Sequence, residues 1–145
     1  MNISLRLARA DDAERVFAWR NDPSVRSASF DSREIAWEEH RAWFLRTLER
    51  VDRSLLIAEQ EEKPVGVVRF DVVDEVVEVS IFLDPALTGQ GYGTTMLREG
   101  VTWVRRNLAG VHTLRAKVKP DNPASMKIFE NAGFSESLRV YDLNL

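Results

Sequence analysis

Apolar and polar residues alternate from Asn2 to Leu7 and then recur at helical spacing, and this change of period repeats along the chain. Ile3, Leu5 and Leu7 on one side of an extended run predict a first strand. Asp11, with Glu14 three residues later, marks a capped helix start whose apolar face is Ala13, Val16, Phe17 and Trp19 or Arg20. Asn21-Asp22-Pro23 stops that helix. A polar loop is expected from Ser24 to Asp31, then a long helix from about Ser32 to Arg50 with Ile35, Trp43, Phe44, Leu45 and Leu48 as its candidate buried side. Ser54 to Glu59, Pro64 to Val72 and Glu75 to Leu83 read as strands of an antiparallel meander, with turns at Glu61-Glu62-Lys63 and Asp74. The last strand breaks at Asp84-Pro85 and the chain re-forms as a helix through Gly89, Gly91 and Gly93. That helix runs to about Asn107, with Met96, Leu97, Val101 and Val104 on one side and Gly110 beyond its end. His112 to Lys119 predicts another strand. Pro120-Asp121-Asn122-Pro123 caps a short helix ending at Gly133, and Arg139 to Leu143 alternates as a terminal strand. The order β-α-α-β-β-β-α-β-α-β, without repeat or low-complexity linker, is that of one α+β domain over residues 1–145.

Composition narrows the chemistry. With no cysteine there is no disulfide framework, no thiolate metal site and no cysteine nucleophile, so acyl transfer through a protein thioester is excluded. A net charge of −3, with acids and bases interspersed, provides no basic stripe for a phosphate backbone, and nucleic acid is not expected as a partner. No segment approaches the roughly 18 apolar residues of a membrane span, and a strand follows Met1 directly, so a cytoplasmic location is expected.

The strand-to-helix junction is the most chemical feature. Glycines one residue apart let successive backbone N–H groups turn toward one point, and the helix behind them adds the positive end of its dipole, which suits a phosphate or pyrophosphate. Gly89-Gln90-Gly91-Tyr92-Gly93 followed by Thr94-Thr95 is neither the dinucleotide GxGxxG nor a Walker loop. On its own it also fits a plain helix-entry turn.

Thr88 to Gly93, taken with Asn122, Ser125, Phe129, Gly133 and Phe134, resembles the GNAT superfamily of acetyl-CoA-dependent N-acetyltransferases over nearly the whole chain. The two segments are similar to the family's Q/RxxGxG/A pyrophosphate loop and its later NxxSxxxYxxxGF pattern. Arg6, Asp11, Asp12, Ala13, the tetrapeptide Trp19-Arg20-Asn21-Asp22, Pro23, and His40 with Trp43 and Phe44 are similar to the branch holding ribosomal-protein N-terminal and nucleotide-linked amino-sugar acetyltransferases. The resemblance implies a mixed, mainly antiparallel sheet of six or seven strands, splayed at its centre and flanked by about four helices. It implies acetyl-CoA as donor and no metal, with Thr88, Gly89, Gln90, Gly91, Tyr92, Gly93 and Thr94 around the pyrophosphate. Ile81, Phe82 and Leu83 would lie along the pantetheine arm, and a backbone N–H at Ile81 or Phe82 would polarise the thioester carbonyl. Asn122, Ser125 and Phe129 would face the pantetheine or the sulfur, although Asn122 is equally explained as a helix cap.

Two positions depart from the family pattern. Thr88 stands where Arg or Gln is usual. Phe129 stands where many relatives carry a tyrosine that protonates the departing thiolate, leaving Tyr92 and Tyr141 as the chain's phenols. A thiol of pKa about 8.5 is a tolerable leaving group, so water or Ser125 would suffice. For the base, Glu78 lies near where some relatives place a catalytic glutamate, among Val76, Val77 and Val79, and equally reads as an outward-facing strand residue. His40 is the other titratable candidate or else a packing residue, and His112 reads as structural. Trp19, Arg20, Asn21, Phe30, His40 and Trp43 combine aromatic faces with polar groups and form the candidate acceptor surface, Trp19 and Trp43 fitting core anchors as well. The expected partner is therefore a small-molecule amine, foremost a nucleotide-linked amino-sugar, with a protein N-terminus or amino acid as the alternative. A non-catalytic acetyl-CoA-binding module and a nucleotide-binding or purely structural domain stay open, and the apolar terminal strand leaves room for a homodimer.

Overall fold

The computed structural model describes all 145 residues. A five-stranded sheet runs in the order β1 (Ser4–Leu7), β2 (Arg53–Gln60), β3 (Lys63–Val73), β4 (Val76–Leu83) and β5 (Leu114–Arg115). The first four strands are antiparallel to their neighbours, and β5 is parallel to β4. Five helices pack around it: α1 (Ala13–Arg20), α2 (Pro23–Ala28), α3 (Trp37–Glu49), α4 (Tyr92–Asn107) and α5 (Pro123–Asn131).

Period-two alternation in β2 and β3 feeds a hydrophobic layer on each face of the sheet. Leu56, Ala58, Val68 and Phe70 join Val77, Val79, Met96, Leu97, Val104 and Phe129 on the side of α4 and α5. Leu55, Ile57 and Val67 join Ala13, Val16, Trp19 and Phe44 on the side of α1 and α3. Both faces being covered, the centre of β2 is a continuous buried run, Leu55 to Ala58.

Five expectations are corrected. The segment Ser24–Asp31 is not all loop, because Asp22 caps α2 by accepting from Ser24 N at 2.9 Å with Pro23 at the first helical position. The Asn-Asp-Pro sequence that ends one helix therefore starts the next. The following helix begins at Trp37 and not near Ser32, since residues 29–36 form an irregular, bent segment pinned at its end by Asn21, whose side chain donates to Ile35 O and accepts from Ile35 N, both at 2.8 Å. The sheet has five strands in place of six or seven. Pairing in His112–Lys119 is confined to Val77↔Leu114 and Glu78↔Arg115, beyond which β4 and β5 part. Residues 135–145 are exposed and make no backbone hydrogen bond, so the terminal strand is absent from the sheet.

Candidate active site

The short pairing of β4 with β5 leaves one open feature near the end of the sheet. Past Glu78, β4 keeps its pairing with β3 to Gly66↔Leu83, while its other edge has no strand against it. Ile81, Phe82 and Leu83 lie half-buried along this edge. Asp84 then accepts from Ala86 N at 3.0 Å, starting a 3-10 turn over Pro85–Leu87. Thr88 Oγ1 donates to Pro85 O at 3.3 Å and Gln90 Nε2 to Ala86 O at 3.3 Å, so both side chains fold back on their own turn.

Gly89 (φ +76°) and Gly91 (φ +86°) hold the left-handed conformation that brings the chain into α4. No side chain caps this helix, and the N–H groups of Tyr92, Gly93 and Thr94 donate to nothing in the protein, the first helical bond being Thr95 N to Gly91 O at 3.4 Å. An added Cβ at Gly89 or Gly91 would meet no atom within 4 Å, so the turn before the helix is open on its side-chain face. Unused donors at a helix N-terminus fit a pyrophosphate. Gly93 serves another end: a Cβ there would sit 2.6 Å from Ile128 Cδ1, so its smallness lets α5 lie against α4. Tyr92 anchors the loop to the sheet by donating its hydroxyl to Gln60 Oε1 at 2.6 Å.

Asn122 caps α5, its Oδ1 accepting from Ser125 N at 3.2 Å and its Nδ2 donating to Ser125 Oγ at 3.0 Å. Ser125 remains half-buried beside it. Phe129 is buried in the α4–α5 layer and meets Phe134 edge-to-face with ring centroids 5.2 Å apart. A phenylalanine in that position packs and donates no proton.

Glu78 points away from Val77 and Val79, which face the α4 layer. It meets charge instead, pairing with Lys117 Nζ at 3.0 Å and lying opposite Asp71 on β3. Phe30, Arg69, Asp71, Glu78, Val79, Ser80 and Lys117 line a cleft of about 170 Å³ on the sheet face shared with α1 and α3. Asp71 is held by Arg53 Nε at 2.7 Å and Arg69 Nε at 3.2 Å. Phe30 is 68% exposed at the rim.

The rest of the expected acceptor surface forms a connected scaffold next to this cleft. Trp19 is a core residue. The Arg20 guanidinium lies 4.8 Å over the Trp43 ring and that of Arg69 lies 5.6 Å from it, so Arg69 is shared between the Trp43 stack and the cleft. Burial, and the repulsion of Arg69, pull the pKa of Arg20 below its ordinary value. His40 has no exposed surface and sits among Phe17, Trp37, Trp43 and Phe44. Its Nε2 lies 3.0 Å from Ala13 O, which can only accept, so the proton is on Nε2 and Nδ1 receives Arg20 NH1 at 3.4 Å. Burial outweighs the Ala13 hydrogen bond and, with the nearby Arg20 charge, lowers the pKa of His40. Both ring nitrogens are thus committed within the protein. Arg6 and Asp12 likewise tie β1 to the start of α1 through two contacts of 2.8 Å.

Glu78, Phe30 and the Arg20–Trp43 pair thus gather around one end of the sheet, while Trp19, Asn21 and His40 hold the scaffold behind them. Sequence reading missed Arg69, Asp71, Ser80 and Lys117. Folding the chain at the Asp74-Glu75 turn pairs Asp71 with Glu78 and Arg69 with Ser80, so the antiparallel register carried that signal. Nothing local marked Lys117, whose approach to Glu78 depends on the crossover through α4.

An α+β sheet parted between β4 and β5, with free amides at the helix entry beside the gap, defines a coenzyme-A-type acyltransferase fold. The acetyltransferase (GNAT) domain family matches residues 2–135, and the chain belongs to that family. It is 32% identical over 142 residues to a Bacillus subtilis protein named "Putative phosphinothricin acetyltransferase YwnH", covering 92% of this chain and 85% of the relative. A crystal structure of "a putative phosphinothricin N-acetyltransferase" is 29% identical with a TM-score of 0.78, covering 93% of this chain and 84% of the other. The fold is also shared with spermidine N-acetyltransferase from Vibrio cholerae in complex with CoA and spermine, at 19% identity and TM-score 0.85 over 93% of this chain and 82% of that one. The chain is accordingly an acetyl-CoA-dependent N-acetyltransferase of the GNAT type.

Proposed function

We propose that this acetyltransferase acts on the primary amine of a small, nucleotide-linked amino-sugar bound in the cleft between β4 and the loop after α2. The observation that carries this reading is the run of features from the free edge of β4 into the unpartnered amides of Tyr92, Gly93 and Thr94, with the charged cleft at the start of that edge. The loop amides hold the pyrophosphate, and Ile81 to Leu83 offer backbone groups to the pantetheine arm as an added strand would. The amine nitrogen attacks the acetyl carbon, the carbonyl oxygen gains charge facing the N–H of Ile81 or Phe82, and the carbon–sulfur bond breaks to release the thiolate. Glu78 accepts the amine proton directly or through one water, and Ser125 stands on the sulfur side. Arg20 and Trp43 supply the cationic and aromatic surface that a nucleoside diphosphate uses, with Phe30 at the rim.

A second reading, an amino-acid amine as acceptor, is favoured by the small volume of the cleft and by Arg69 and Lys117 in its wall, which suit a carboxylate. An amine panel assayed by thiol release separates the two. Glu78→Gln should lower kcat/KM at pH 7 by an order of magnitude or more; a pH–rate profile unchanged by the substitution removes Glu78 from proton transfer.

A further inference from the structure

A second cavity, of about 270 Å³, lies where β1 ends, α3 ends and β2 begins, and it shares no lining residue with the cleft. Leu7, Ala8, Leu48, Val51 and Leu55 give it an apolar wall, and no acidic residue lines it. Leu7 and Val51 are among the most exposed apolar side chains of the chain.

The polar groups of this wall have capacity to spare. Thr47 is 2% exposed, and its hydroxyl makes no hydrogen bond within the protein. Arg53 Nε lies 2.7 Å from Asp71 Oδ1, yet neither atom is engaged in an aligned hydrogen bond, and the terminal nitrogens of Arg53 donate to nothing in the chain. Arg50, by contrast, is committed to Asp52 through two contacts of 2.8 Å. Asp71 is shared, its Oδ2 accepting from Arg69 Nε at 3.2 Å, so Arg53, Asp71 and Arg69 together keep one net positive charge. That charge outweighs the partial negative charge at the carbonyl end of α3.

We infer that this cavity is a binding site for a small carboxylate with an apolar body, and that its occupation is felt in the cleft through Asp71. A planar two-oxygen anion matches the free nitrogens of Arg53 and the Thr47 hydroxyl, while an apolar body covers Leu7, Leu48 and Val51. Arg53 and Arg69 hold the same carboxylate from two sides. An anion at Arg53 weakens the pull of that residue on Asp71, which then closes on Arg69 and draws its guanidinium from the Trp43 ring. Binding rests on the cavity alone, whereas the effect on substrate rests on the cleft being the acceptor site.

Cyclohexanecarboxylate is a suitable probe, with cyclohexylmethanol lacking the charge and acetate lacking the apolar body. In amide NMR of the isotope-labelled protein at constant ionic strength, it should bind saturably with a Kd below about 5 mM and shift Leu48, Val51 and Ser54 most. Both controls should bind at least tenfold more weakly. Thr47→Val, which keeps the shape of the side chain, should weaken the probe at least threefold, and Arg53→Gln at least tenfold. With the best amine of the panel, saturating probe should raise the acceptor KM at least twofold, leave the KM for acetyl-CoA unaltered and resist displacement by acceptor. No saturable binding, equal binding of cyclohexylmethanol, or largest shifts at Phe30 and Lys117 overturns the site. An unaltered acceptor KM at saturation overturns the link through Asp71. The amide shifts decide the site whichever amine the enzyme accepts, so its failure is distinct from failure of the acceptor reading.

Discussion

The tetrapeptide Trp19-Arg20-Asn21-Asp22 shows how adjacent residues divide their work. Trp19 fills the α1–α3 layer, Arg20 lies over Trp43, Asn21 staples the loop before α3, and Asp22 caps α2. Behind them His40 serves as a neutral acceptor for Arg20. Its folded pKa lies below the unfolded value of 6.5, so the unfolded chain binds more protons in the interval below that value and stability falls as pH drops through it. Urea titrations between pH 7.5 and 5.5 should show this loss, at most about 1.4 kcal/mol per pH unit for one group, and His40→Gln should reduce it. An equal loss in the variant would assign the effect elsewhere. Gly66 carries a different constraint, since a Cβ there would lie 2.8 Å from Phe82 O as well as 2.6 Å from Met96 Cε. The methionine end can swing aside; the strand carbonyl cannot. Gly66→Ala should therefore cost about 1–3 kcal/mol in denaturant unfolding and disturb the β4 edge that meets the coenzyme.

Among the elements, the β2–β3 hairpin is closed by Glu61 (φ +51°) and Glu62 (φ +66°), both left-handed without the residues that favour it. Gln60 pairs with Lys63 across them, a two-residue turn of the kind that prefers Asn-Gly. Glu61→Asn with Glu62→Gly should raise stability by about 1–2 kcal/mol by relieving that strain, read as a higher denaturant midpoint with unchanged slope. The turn itself was legible in the sequence as a polar break between two apolar runs; its left-handed geometry was not, because it is imposed by the register of the flanking strands. The same contrast holds at Asp22-Pro23, where one pair of residues signals both a helix end and a helix start. In the segment 112–119 alternation was visible, yet pairing spans two residues, because how far it follows β4 is set by the packing of distant elements and not by its own pattern.

For the whole molecule, binding at the loop and along β4 couples the coenzyme to the stability of the sheet. Acetyl-CoA at 100 times its Kd should add about 2.7 kcal/mol and raise Tm by several degrees, and Gly91→Ala should diminish the shift, since a Cβ in left-handed backbone strains the helix entry. An undiminished shift would mean that these amides do not bear the pyrophosphate. The periodicity of the chain determined the meander, the helix after the glycines and the short helix behind Asn122, because those depend on neighbours within a turn or a hairpin. The glycine loop and the Asn122–Phe134 pattern also determined the family, since few backbone arrangements cradle a pyrophosphate at a helix entry. Tertiary structure alone decided that Glu78 faces Lys117 and Asp71 and not its valine neighbours, that His40 is sealed between α1 and α3, and that the last eleven residues leave the sheet. Each of these turns on which element crosses beside another, and the free energy that selects the crossing is collective burial over distant segments, which no local pattern encodes.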